Sequence, residues 1–439
     1  MRQILIKGGT LLDPLQRIHD KRDILISGGK IAAVGHLVQD DAVARDALVV
    51  DVCGKLVMPG LIDLHVHLRE PGQEEKETIA SGCSSAIAGG FTALACMPNT
   101  EPVADEPGVI HYIKGKVEEL VSSPRVYPVG AISRGLKGAE LADIEGMHRA
   151  GIRAISDDGK SVVSSFLMVT AMEKAKDLGL KIFSHCDDPE LVRGHMNQGK
   201  ISSKLGIEGI PNVSESLMVA RDIQLSRYTG CPLHIQHVST AESVELIAWA
   251  KDKGLPVSAE VTPHHLLLTD AAVEDSLGDA KMNPPLRSEA DRQSLIRALR
   301  EGVIDCIATD HAPHTPAEKA GELSQVPFGV VGLETALPLM FTKFVETNLL
   351  TLEELVWRLS ITPARILGIK GGTLAVGSPA DITVVDLKKE RRVERESFLS
   401  QGKNTPFEGW PLRGWPVMTI VGGNVVTLIQ ENPNEEEKD

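Results

Sequence analysis

Two histidines stand two residues apart at the end of an apolar run, in Asp63-Leu64-His65-Val66-His67-Leu68-Arg69-Glu70-Pro71-Gly72. In a β-strand that spacing turns both imidazoles to one face. Neutral imidazoles converging from one strand can share a divalent metal, and Arg69 puts a cation where an anionic substrate group can dock. The pair therefore suggests a metal-dependent enzyme. Surface histidines also fall at this spacing by chance, so the suggestion depends on further ligands reaching the same place from elsewhere in the chain.

The elements that would bring them are legible as repeated βα units. From about residue 60 to 367, short β-type runs alternate with longer helical patterns. The candidate strands are Leu61 to His67, Phe91 to Met97, Arg125 to Ala131, Ile152 to Ser156, Lys181 to His185, Leu233 to His237, Pro256 to Val261 and Val303 to Thr309. Several follow a glycine placed to end the preceding helix, as in Gly89-Gly90-Phe91, Ala150-Gly151-Ile152 and Lys253-Gly254-Leu255. Eight units closing on themselves predict an α/β protein built on a (β/α)8 TIM-like barrel over residues 58–367. The flanks differ. Residues 1–57 and 368–430 read as short strands with glycine turns, each too small to form a core alone, and are expected to pair into one smaller β-sandwich domain built from both termini.

Residues able to bind metal recur at the C-terminal ends of the proposed strands, the face of a barrel where active sites are built. Strand one ends in His65 and His67, strand four runs into Asp157-Asp158-Gly159, strand five ends in His185, strand six in His237, and strand eight in Asp310. Structural residues would be scattered over helices, loops and both barrel ends. Six ligands exceed what one zinc with an open position needs, so two metals are expected. The proposed division gives His65, His67 and Asp310 to one ion and His185 and His237 to the other, with Asp157 as the bridge and Asp158 as its adjacent competitor. Coordination lowers the pKa of water by many units, making a hydroxide between two metals available near neutral pH.

Composition limits the alternatives. Hydrophobic residues make up 42% of the 439 and charged residues 24%, with no apolar run long enough to span a bilayer. The net charge of −14 argues against non-specific nucleic-acid binding, which relies on clustered cations. Residues 431–439 hold five acidic groups and one lysine, and read as an acidic, disordered tail. The N-terminal stretch lacks a signal-peptide pattern, and six dispersed cysteines without a Cys-X-X-Cys fit reduced thiols. The expectation is a cytoplasmic protein.

The strings His65-Val66-His67-Leu68-Arg69-Glu70-Pro71-Gly72, Met97-Pro98-Asn99-Thr100, Ser156-Asp157-Asp158-Gly159, His237-Val238-Ser239-Thr240, Asn283-Pro284-Pro285-Leu286-Arg287 and Thr309-Asp310-His311-Ala312-Pro313-His314 occur in this order over most of the chain. Together they resemble the class I, bacterial-type dihydroorotases of the amidohydrolase superfamily. That resemblance implies a zinc-dependent, reversible cyclisation of N-carbamoyl-L-aspartate to L-dihydroorotate, the third step of pyrimidine synthesis. It implies one or two Zn2+ ions per subunit on the six ligands above, with Asp310 also as general base and acid. It places Arg69, Asn99 and His314 on the substrate carboxylate, and Asn283 with the Phe328-Gly329 segment at the ring. Many relatives bridge their metals with a carboxylated lysine, whereas this chain resembles the subgroup that uses aspartate. The family register favours Asp157 over Asp158. Homo-oligomerisation and a complex with aspartate carbamoyltransferase are further implied possibilities.

Rival readings are another cyclic amidase, such as a dihydropyrimidinase or allantoinase, and a non-catalytic subunit of the transferase. The Arg69, Asn99 and His314 set argues for a carboxylate-bearing substrate, and the full ligand set argues for a working enzyme. Other candidates receive plainer readings: Lys160 as a solvated loop lysine, His264 and His265 as hydrogen-bonded loop residues, His234 facing away from the metal, and His311 as a supporting group.

Overall fold

The computed structural model describes residues 3–37 and 47–427; the acidic tail expected at 431–439 lies outside them. Eight short parallel strands occupy the middle of the chain: Leu61–Val66, Phe91–Cys96, Arg125–Pro128, Ala154–Ile155, Lys181–Ser184, Leu233–Ile235, Val257–Val261 and Cys306–Ile307. Each falls inside one of the eight stretches expected from the sequence. The first three pair in parallel, as do the last five in chain order. Parallel bridges at Gly130–Ile155 and Val66–His311 join the two groups at both edges, so the strand order returns on itself. This closed order leaves no free edge and points all eight C-terminal ends to one side.

The strands carry almost only buried residues, and helices cover the outside. A continuous core between them includes Phe91, Leu94, Ile155, Ile182, Ile235, Ala259 and Ile307. Helix starts are set by short polar side chains that accept from the first free amides: Thr78 caps Ile79–Ala88, Thr240 caps Ala241–Asp252 and Ser288 caps Glu289–Glu301. Gly151 ends its helix at φ +99°, a left-handed backbone that costs glycine little, and lets the chain enter the next strand within a few residues.

The terminal segments interleave. A four-stranded sheet runs in the order Lys30–Gly35, Asp23–Ser27, Ile4–Lys7, Leu48–Asp51. A six-stranded sheet runs Asn424–Thr427, Pro411–Val421, Ile382–Arg392, Leu56–Pro59, Thr10–Asp13, Ile18–Lys21. In it the C-terminal strand Ile382–Arg392 pairs antiparallel with Leu56–Pro59, residue Ile382 opposite Pro59. Both sheets contribute to one apolar core, with Ile4, Ile6, Ile24 and Ile26 from the first and Leu11, Val57, Ile382, Val384 and Ile420 from the second. Neither terminus could bury these side chains alone, which is why the unit needs both. Among the described residues, no helix is long and apolar enough to cross a membrane.

Candidate metal centre and substrate cavity

Because all eight strands run the same way, the residues just beyond their C-terminal ends meet above one opening. His65 lies in the first strand and His67 directly after it, with the His67 amide donating to the His311 carbonyl at 2.8 Å. His185 follows the fifth strand, His237 the sixth and Asp310 the eighth. All five side chains are buried. Asp310 Oδ1 is 3.1 Å from His67 Nε2 and 3.5 Å from His65 Nε2, while His185 Nδ1 is 2.9 Å from His237 Nε2.

The aspartate that joins these two groups is Asp158. Its Oδ1 lies 3.2 Å from His65 Nε2, 3.6 Å from His185 Nδ1 and 3.8 Å from His237 Nε2, and its Oδ2 lies 3.5 Å from His67 Nε2. The structure thus corrects the expected placement of Asp157. Asp157 turns away to accept from the amides of Ile132 and Ser133 at 2.8 and 2.9 Å and from the Ser133 hydroxyl. The two lie at a turn beyond the strand, where the Lys160 amide donates to the Asp157 carbonyl at 2.9 Å, and only the Asp158 carboxylate faces the imidazoles. The loop after the third strand claims the other.

The donor set fits a divalent cation. His65 Nε2 and Asp158 Oδ1 are buried with no hydrogen-bond partner, although they face one another. Each of the two groups His65–His67–Asp310 and His65–Asp158–His237 has its potential ligand atoms within 4.8 Å of one another. Burial opposes charge on Asp158 and Asp310, yet the surrounding imidazoles hold both carboxyls below the usual carboxylate range. The same attraction raises His65 and takes His185 to about 10 against the effect of burial. Two buried carboxylates thus demand nearby positive charge, which a bound cation supplies without protonating its ligands.

The supporting contacts orient these ligands. His65 Nδ1 donates to Glu260 Oε1 at 3.0 Å and His67 Nδ1 to Asn99 Oδ1 at 2.9 Å, leaving each Nε2 directed at the carboxylates. Glu260 also accepts from His234 Nε2 at 3.0 Å, and these partners hold its carboxyl at about 2 despite complete burial. His234 therefore stands one carboxylate behind the site, consistent with its expected orientation. Asp187 Oδ2 lies 3.8 Å from His185 Nε2 and accepts from Asn283 Nδ2 at 3.0 Å. Glu260 and Asp187 were not singled out from the sequence. A glutamate buried inside the strand Val257–Val261, whose only other polar residue is Ser258, was a usable signal, whereas Asp187 lies in a polar loop and carried none.

A cavity of about 150 Å³ opens over the ligands, lined by His67, Arg69, Asn99, Asp158, His185, His237, Asn283, Asp310, Phe328 and Gly329 among others. His65 lies behind its wall, and so does His314, whose Nε2 donates to the Phe328 carbonyl at 2.8 Å. The Arg69 guanidinium is buried against the Pro313 carbonyl at 3.2 Å and His314 Nε2 at 3.3 Å, with no carboxylate at ion-pair distance among the described residues. A wider cavity of about 440 Å³ shares Gly159, His185, Asn283 and Phe328 with the first and is also lined by the exposed Lys160.

Three of the seven non-glycine residues with positive φ among those described belong to this site: Arg69 at +61°, His237 at +32° and Asp310 at +49°. Each such conformation costs roughly 1–3 kcal/mol and persists only where surrounding contacts over-determine it. Of the remaining histidines, His265 is held by Thr262 Oγ1 at 2.8 Å and the Pro284 carbonyl at 3.0 Å. His311 is held by Glu77 and the Gly332 amide.

Imidazoles and carboxylates at the C-terminal ends of a closed parallel sheet, with a small polar cavity above them, define a metal-dependent amidohydrolase. The Dihydro-orotase-like family matches residues 54–243 and the Amidohydrolase family residues 232–427. A dihydroorotase of Geobacillus thermodenitrificans is 50% identical over 404 residues, covering 92% of this chain and 94% of that one. A dihydroorotase of Pelotomaculum thermopropionicum is 50% identical over 425 residues, 97% of this chain and 98% of its own. Among solved structures, the L-hydantoinase (dihydropyrimidinase) of Arthrobacter aurescens aligns at TM-score 0.87 and 28% identity, covering 98% of this chain and 97% of that one. The dihydropyrimidinase of Brevibacillus agri aligns at TM-score 0.82 and 23% identity, over 97% of this chain and 95% of its own, and so shares the fold. The chain belongs to the dihydroorotase family, and it is an enzyme.

Proposed function

We propose that this enzyme interconverts L-dihydroorotate and N-carbamoyl-L-aspartate in pyrimidine synthesis, using Zn2+ held by six residues: His65, His67, Asp158, His185, His237 and Asp310. The reading places the chemistry on a (β/α)8 barrel spanning residues 58–367, with the segments 1–57 and 368–430 forming the β-sandwich. Two ions per subunit would be held by the groups His65–His67–Asp310 and His185–His237, and the Asp158 carboxylate, which faces both groups, would supply negative charge to either.

A divalent ion bound there supplies Lewis acidity for the amide carbonyl and lowers the pKa of water. Asp310 faces the cavity and takes the proton from the attacking water. It then returns that proton to the ring nitrogen as the C–N bond breaks, and the reverse sequence closes the ring. His67 and His65 hold the Asp310 carboxylate in its anionic form between turnovers. Arg69 and Asn99 receive the substrate carboxylate, while His314, expected there from the sequence, stands behind the wall against the Arg69 guanidinium. Asn283 and the Phe328–Gly329 turn border the ring.

The observation that carries this reading is Arg69, a buried guanidinium at the cavity wall with no carboxylate paired to it among the described residues. A bidentate carboxylate from the substrate satisfies it, and simple dihydropyrimidines and hydantoins lack that group. Metal analysis combined with turnover of dihydroorotate, dihydrouracil and allantoin tests the proposal. Zinc with activity on dihydroorotate is expected. Activity confined to the other two substrates would assign a different cyclic amidase, and a zinc-loaded protein inactive even with aspartate carbamoyltransferase added would assign a structural subunit. Partnership with that transferase and self-association are compatible with the reading.

A further inference from the structure

Lys319 is a buried lysine, 8% exposed, at the end of the short helix Pro316–Lys319. All three of its hydrogen bonds go to backbone carbonyls: Lys281 at 3.2 Å, Pro327 at 2.9 Å and Gly329 at 2.9 Å. These oxygens come from two separate segments, one carrying Asn283 and the other carrying Phe328. Both side chains line the cavity over the metal ligands. The Gly329 amide donates back to the Lys281 carbonyl at 2.9 Å, and the Lys281 ammonium lies 4.5 Å from the centre of the Phe328 ring.

We infer that Lys319 is a positioning residue for the substrate ring, one ammonium that sets Asn283 and the Phe328–Gly329 turn at a fixed separation across the cavity. The inference rests on the proposed substrate assignment of those residues. An ammonium offers three donors and no acceptor, which matches three carbonyls converging from different directions. A lysine taken out of water to bind only neutral carbonyls is costly, and burial draws its pKa down to about 7. Surface anchoring of a loop does not require that cost. Gly329 adopts φ +140°, and a Cβ there would come within 2.8 Å of Ala312. The turn is thus packed tightly on its other side, and the ammonium completes its confinement. The Phe328 carbonyl is taken by His314 and the Gly329 carbonyl additionally by Asn404 Nδ2 at 2.9 Å, so each carbonyl of the turn 327–329 has a side-chain donor.

The test is steady-state kinetics of Lys319→Met, which keeps the apolar stem and removes all three donors. KM for dihydroorotate is expected to rise about tenfold, the effect of losing charged hydrogen bonds that order a site, with kcat changed much less and zinc content unchanged. Lys319→Arg, which restores a cation with several donors, is expected to recover most of that loss. Phe328→Ala separates this inference from the substrate assignment. If Phe328→Ala raises KM while Lys319→Met does not, the role of Lys319 is overturned and the assignment stands; if neither moves KM, the assignment itself fails. A fall in kcat at unchanged KM in Lys319→Met also overturns the inference. Trace acetylation of the zinc-loaded wild-type enzyme gives a reading independent of whether the variants fold: lower labelling of Lys319 with dihydroorotate present is expected, and equal labelling overturns the coupling.

Discussion

The Nδ1 atom of His65 donates to Glu260 at 3.0 Å, and through this bond a carboxylate on the seventh ring strand sets the direction of an imidazole on the first. With Nδ1 protonated, His65 Nε2 keeps its lone pair toward Asp158 and Asp310. Replacing Glu260 by Gln removes the charge and weakens that tautomer preference. Metal affinity is expected to fall about 10–100-fold, measured by competition with a chelator, with activity partly recovered at high zinc.

Asp157 and Asp158 are expected to separate cleanly. Asp158→Asn should lose bound zinc and at least about 100-fold in kcat, since the anionic ligand between the two groups is replaced by a neutral amide that no longer compensates the cation's charge. Asp157→Asn should retain zinc and most activity, and lose about 1–3 kcal/mol of stability as its amide replaces an oxygen that accepts from Ser133. Metal analysis and chemical denaturation of both variants check the pair; equal zinc loss in each would reverse the assignment.

Asp310→Asn removes the proposed proton carrier while keeping the side-chain volume. A kcat loss of about 10²–10⁴-fold is expected, larger than any change in KM, measured on protein whose zinc content has been confirmed. A variant holding full zinc and normal kcat would transfer the proton to another group.

Arg69→Lys keeps the charge but replaces a planar fork with a point charge. KM for dihydroorotate should rise about 10–100-fold, from the loss of one charge-assisted hydrogen bond and its geometry. The same change should leave KM for a neutral cyclic amide nearly unaltered, if one is turned over at all.

Removal of the metal by a chelator should abolish activity, and Zn2+ should restore it. The apoprotein is expected to unfold at lower denaturant concentration, because ligand binding to the native state adds stability in proportion to the logarithm of metal concentration over Kd. Unchanged activity in metal-free protein would remove the basis of the proposal.

Much of this site was readable along the chain. His65, His67, His185, His237 and Asp310 each follow an apolar strand pattern, and strand period together with parallel order suffices to place them on one side of a ring. The eight strands and the joining of both termini follow from the same kind of reading, since periodicity and the size of each flank are local properties. What the tertiary structure decided was the choice among neighbours and the partners drawn from far away. Asp157 and Asp158 are chemically identical and adjacent, and only the Ile132–Ser133 loop, arriving from another unit, determines which carboxylate is occupied and which is free. Glu260 contacts His65 across 195 positions, Asn404 contacts Ala312 across 92, and Lys319 contacts Lys281 across 38. Such contacts leave no periodic trace in sequence, because they depend on side chains meeting after the strands have closed.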